Sequence, residues 1–145
     1  MDEAELLRRT RRFAEDAWNR GEMAVVDEVI APDMVQHGAG PRPDGQGPEA
    51  VKEFIRGFRS GMPDVRSTIL HELADGDVTV AHLAVDGTHS GALFGAPASG
   101  NQVHFELVNI DRFDDEGRIV EHWTMLDSFD LLRQLGAVPE PAAAS

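Results

Sequence analysis

The chain has 145 residues, 41% hydrophobic and 27% charged, the make-up of one soluble globular domain with a single core. Its 26 acidic against 13 basic residues give a formal net charge of −13, so the surface repels phosphate backbones and anionic lipid, and neither nucleic acid nor a membrane is an expected partner. The absence of cysteine removes disulfides, thiol nucleophiles and thiolate metal sites together.

The start, Met1-Asp2-Glu3-Ala4-Glu5, lacks the basic region and apolar run of a secretory leader, and no stretch approaches the ~18 apolar residues of a membrane span. The expected location is cytoplasmic. From Glu3 to Arg20, Leu6, Leu7, Phe13, Ala14, Ala17 and Trp18 follow the spacing of one helical stripe, which Gly21 ends. Arg8, Arg9, Arg11 and Arg12 lie among acidic neighbours and read as a solvated helix face. Met23 to Ile30 predicts a second, short helix stopped at Ala31-Pro32, and Asp33 to Gly38 a short strand. Gly38 to Gly47 carries four glycines and two prolines and reads as a loop. Pro48 then opens a third helix with Val51, Phe54, Ile55 and Phe58 on its apolar stripe, closed by Gly61 and Pro63.

Beyond Pro63 the period changes from about 3.6 to 2, the mark of a switch from helix to sheet. Val65–Ala74 and Val78–Gly87 pair around the turn Asp75-Gly76-Asp77, and Val103–Phe113 and Arg118–Asp127 pair around Asp114-Asp115-Glu116-Gly117. Helices followed by long antiparallel strands predict an α+β domain in which the helices cover one face of the sheet. Residues 1–138 form that single domain, and the low-complexity tail 139–145 is expected to fray.

Four segments in this order carry a resemblance: Trp18-Asn19-Arg20-Gly21; Ile30-Ala31-Pro32-Asp33-Met34-Val35-Gln36-His37; Gly87-Thr88-His89-Ser90-Gly91 with Phe94-Gly95-Ala96-Pro97; and Gly117-Arg118-Ile119-Val120-Glu121-His122-Trp123. Together they span about residues 10 to 130, and the sequence resembles the SnoaL-like family of the nuclear transport factor 2-like superfamily, which holds polyketide cyclases and ester-cyclase-type proteins. The resemblance implies three N-terminal helices packed on a curved, mostly antiparallel sheet that encloses a pocket. It also implies a cofactor-independent cyclase or isomerase of bacterial secondary metabolism, acting on a small apolar ketone, ester or polyketide-like molecule. Epoxide hydrolysis, epoxide-opening cyclisation and non-catalytic binding of a small molecule are the alternatives the same fold hosts.

In the cyclases that this sequence is similar to, an acid/base aspartate follows the Trp of the last strand, and that position here is Thr124, whose hydroxyl cannot act as a base near neutral pH. Strand alternation puts His122 and Leu126 on the same face as Thr124, with Trp123 and Met125 opposite. His122 is therefore the first candidate for acid/base work. Asp111 is the second, because Phe105, Leu107, Asn109 and Asp111 share one face of their strand and run from dry wall to reactive floor. The resemblance adds His37, whose equivalent in the family faces the cavity. Trp18, Phe54, Phe58, Phe94, Phe105, Asn109 and Thr124 are the expected substrate contacts. Gly91–Gly100, with Leu93 and Phe94, is expected to act as a flap over the mouth, and Gly38–Gly47 to frame the opposite rim.

His71, His82, His89 and His104 lie on strands or their ends and read as solvated or paired; without a close ligand motif, no metal site is expected. No glycine-rich phosphate loop or dinucleotide fingerprint occurs, so no nucleotide cofactor is expected either. Val108, Ile110, Trp123 and Met125 alternate onto what should be the outer sheet face and predict a homodimer.

Overall fold

In the computed structural model, which describes residues 1–38 and 47–138, the Asp2 side chain accepts the Glu5 N–H at 2.9 Å and caps α1 (Glu3–Arg12). Glu3 and Glu5 in its first turn and Arg9, Arg11 and Arg12 in its last match the helix dipole at both ends. The single helix expected as far as Arg20 changes character at Phe13. Residues Phe13–Asn19 are π-helical, and the Arg20 N–H bonds the Glu15 carbonyl five residues back at 3.1 Å. This wider turn brings Phe13, Ala17 and Trp18, four and five positions apart, onto the inward side of the helix.

After α2 (Ala24–Val29) come β1 (Ile30–Gly38), α3 (Pro48–Gly61), β2 (Arg66–Asp75), β3 (Val78–Thr88), β4 (Gln102–Phe113), β5 (Ile119–Leu126) and α4 (Ser128–Gln134). The strands form one sheet in the order β1-β5-β4-β3-β2. All neighbours are antiparallel except β1 and β5, which run parallel. The expected α+β architecture holds, with an open mixed sheet carrying helices on one face.

Three apolar clusters glue helices to sheet, the smallest joining Ala14 to Ala81 and Leu83, and two are larger. One joins Leu6, Ala17, Val26, Val29, Met34, Ile55 and Phe113; the other joins Phe58, Met62, Val85, Val103, Phe105, Leu131 and Leu135. Polar clamps fix the π-helix between them. Arg59 donates from α3 to the Trp18 and Asn19 carbonyls at 2.7 and 2.9 Å, satisfying groups a helix end would leave orphaned. The Asn19 side chain bonds both backbone groups of Ser67 on β2, at 3.0 and 2.7 Å.

No element is predicted from the sequence for residues 128–138, yet α4 forms there. Asp127 caps it by accepting the Asp130 N–H at 3.0 Å, and Leu131 and Leu135 bury themselves in the second cluster. The expected tail 139–145 and most of the expected rim loop lie outside the described residues. Val108, Ile110, Trp123 and Met125 do sit on the sheet face turned away from the cavity, and no described segment covers Met125, which is 60% exposed. No described helix is long and apolar enough to cross a membrane.

One exposed carboxylate ties the end of β3 to the segment after α3. Asp64 accepts the Thr88 N–H and hydroxyl, each at 2.8 Å, and these two bonds hold its pKa below the usual carboxylate range. A pKa depressed by folding contributes stability above the unfolded value of about 3.9 and loses it as the pH falls through the folded value. Urea unfolding at pH 7 and pH 3 should therefore show a smaller acid loss for Asp64→Asn than for the wild type. An equal loss in both would remove Asp64 from the acid response.

Candidate active site

Between the helices and the inner sheet face lies a cavity of about 520 Å³. Its size falls within the range of small-molecule sites. The aromatic wall comes from three elements: Trp18 of the π-helix meets Phe54 and Phe58 of α3 edge-on at 5.9 and 5.6 Å, and Phe58 lies 6.1 Å from Phe105 of β4. Met34, Leu83, Val85, Leu107, Leu126, Leu131 and Leu132 complete an apolar lining.

Polarity gathers at one end because of strand register. Antiparallel pairing sets Leu107 opposite Leu126, Asn109 opposite Thr124 and Asp111 opposite His122, and the pleat turns all six toward the cavity. Asp111, 4% exposed, bonds His122 Nδ1 through Oδ1. His122 Nε2 lies 2.6 Å from Thr124 Oγ1, and that hydroxyl donates to Asn109 Oδ1 at 2.9 Å. The four side chains thus form one unbroken chain along the cavity wall. Its first link, a buried carboxylate on an imidazole, fixes the orientation of the ring.

Residues 8–135 match the SnoaL-like polyketide cyclase family. The chain belongs to that family. It is 32% identical over 130 residues to the aklanonic acid methyl ester cyclase DauD of Streptomyces sp. (strain C5), covering 87% of this chain and 78% of that protein. The same identity over the same length relates it to the aklanonic acid methyl ester cyclase DnrD of Streptomyces peucetius, 87% of each chain being covered. The structure of TsrD from Streptomyces laurentii superimposes with a TM-score of 0.84 at 29% identity, over 95% of this chain and 99% of that one.

In this SnoaL-like protein the sequence candidates His122, Asp111, Trp18, Phe54, Phe58, Phe94, Phe105, Asn109 and Thr124 all line the cavity. His37 does not, which corrects the expectation. The parallel register pairs Gln36 with His122 and His37 with Trp123, so Gln36 faces in and His37 faces out. Outside, His37 stacks on Trp123 at 5.0 Å and bonds Glu121 at 3.1 Å. Arg112, and after it His37, hold the Glu121 carboxyl below its ordinary range.

Gln36, Thr10, Ser67 and Ser128 line the cavity without having been anticipated. The alternation around buried Met34 was the available signal for Gln36, two positions on, but it becomes decisive only once β1 is known to pair with β5. Among the described residues, no group of three or more His, Asp or Glu side chains converges as a metal site. His71, His82 and His104 are paired on the sheet exterior with one another, Glu106 and Asp86. His89 is also paired, though not on the exterior: it is fully buried, with Nδ1 2.8 Å from Ser99 Oγ.

The expected flap is anchored at both ends. The Ser90 and Gly91 N–H groups donate to the Gly61 carbonyl at 3.1 and 3.0 Å, and Gly100 donates to His89 at 2.8 Å. Between these anchors a tight Leu93–Ala96 turn holds Phe94 at φ 50°, a conformation costly for a side chain with a Cβ. That turn sinks Leu93 into the core and lays Phe94 against Phe54 and Phe58, at 6.3 and 5.4 Å, as part of the cavity wall.

Proposed function

We propose that this protein is a cofactor-independent acid/base cyclase that closes a ring in a polycyclic, ester-bearing polyketide. One observation carries the reading: among the described side chains lining the cavity, only Asp111 and His122 are ionisable, and they are bonded to each other. A site with a single proton-handling pair and an apolar remainder suits a reaction that only moves protons and joins carbons. The carbon next to a carbonyl gives up a proton, its electron pair attacks a ketone carbon of the same molecule, and the ketone oxygen ends with a proton. No atom is gained or lost. Positioned proton transfer of this kind accelerates a step by about 10²–10⁴-fold, and the apolar walls exclude water that would compete for the intermediates.

The test is incubation with aklanonic acid methyl ester and related polyketide methyl esters, read by chromatography with mass detection. A new species of unchanged mass is the expected product. A free acid formed with release of methanol would replace the cyclase reading with ester hydrolysis. A ligand that raises the melting temperature but is recovered unchanged would assign the cavity to binding alone.

A further inference from the structure

We infer that Asn109 is a positioning residue that sets the direction of the proton chain, so that ligand-free His122 carries a proton on Nε2 and Thr124 relays it. Donor counting supports this. A threonine hydroxyl has one proton, and the Thr124 proton is committed to Asn109 Oδ1, an atom that can only accept. The Thr124 oxygen can then meet His122 Nε2, 2.6 Å away, only by accepting from an Nε2–H. On the other side of the ring, Nδ1 shares a further proton with Asp111. Whichever atom of that bond holds it, the Asp111–His122 pair then carries two protons, one on each side of the ring.

Among the described residues no competing charge lines the cavity around this group: β4 contributes Asp111 and Asn109, β1 contributes Gln36, β3 contributes Ala81, and the helical side contributes Thr10, Phe13 and Trp18, which leaves Asp111 as the acidic neighbour. Were Asn109 unable to accept, the Thr124 hydroxyl would turn its proton toward Nε2, and His122 would rest as the neutral Nδ1–H tautomer. The amide thus decides whether the dyad starts as an acid or as a base.

A consequence for the reaction rests on the cyclase reading above. A pair that starts protonated acts first as donor: a substrate carbonyl oxygen replaces Asn109 Oδ1 as acceptor of the Thr124 proton, the hydroxyl takes up the Nε2 proton as it gives its own, and the carbonyl carbon is activated toward attack. The pair then recovers a proton from the carbon acid. Threonine at this position therefore extends the reach of His122 without itself needing to be a base.

The protonation state is measurable on the full chain without any substrate. Long-range proton–nitrogen correlation spectra of ¹⁵N-labelled protein at pH 7, with the His122 signals assigned by difference from His122→Asn, report which ring nitrogens carry protons. The wild type is expected to show a protonated Nε2. That signature should persist in Asn109→Asp, whose carboxylate still accepts, and in Thr124→Ser, and be lost in Asn109→Leu. An unprotonated Nε2 in the wild type, which needs no variant to observe, would overturn the inference, as would loss in Asn109→Asp or persistence in Asn109→Leu. A failed cyclisation assay with these spectra as expected would overturn the cyclase reading alone.

Discussion

His122→Asn and Asp111→Asn should each lower turnover of a cyclised substrate by about 10³-fold, within the span attributed to general acid–base catalysis, while binding of that substrate changes little. The two effects should not add. Asp111 acts through the imidazole it holds, so once His122 is gone its carboxylate has no proton to steer, and the double variant should resemble the His122 variant. His37→Asn is the contrasting case. His37 lies on the outer face against Glu121 and Trp123, so its replacement should leave turnover within about twofold, a surface change of the usual small size. Measuring kcat and KM for the three single variants and the double variant decides the assignment. Equal loss in the His37 variant would place the chemistry elsewhere.

Gly38→Ala should destabilise the protein by about 3 kcal/mol, roughly 10 °C in melting temperature, and impair the site as well. Gly38 ends β1 at φ 113°, a conformation that L side chains rarely adopt. An added Cβ there would lie 2.1 Å from the Thr124 carbonyl oxygen, well inside contact distance, and that neighbour is backbone that cannot swing aside. The clash can be relieved only by parting β1 from β5 at the register position where Gly38 meets Thr124. Since β5 also carries His122, strand separation should reach the proton chain and lower turnover by more than about tenfold, the scale on which a misplacement of about 1 Å acts. Gly57→Ala on α3 is the matched control. A Cβ at Gly57 meets nothing within 4 Å, and the helical position favours alanine by about 1 kcal/mol, so this variant should gain stability. Thermal unfolding of both variants is the check, and a neutral Gly38→Ala would mean that β1 yields at little cost.

Local periodicity is enough to read the strands and the aromatic wall. Strands β2 to β5 and their two hairpins were legible because period-2 alternation and glycine-bearing turns are short-range signals, and the same alternation grouped Asn109 with Asp111 and His122 with Thr124 before any pairing was known. The aromatic wall was legible for the same reason, since Phe54 and Phe58 fall on one helical stripe.

Tertiary structure alone decided what depended on partners distant in the chain. His37 and Gln36 are adjacent, and which of them faces the cavity follows from the parallel register of β1 on β5, a contact across more than 80 residues that no local pattern encodes. The π-helical turn at Phe13 is held by Arg59 and by Ser67, both far along the sequence, so periodicity near Phe13 could not announce it. The bond from Asp111 to His122, and the chain onward to Thr124 and Asn109, required the exact partners across β4 and β5, because a slip of one residue would have sent each of these side chains to the opposite face.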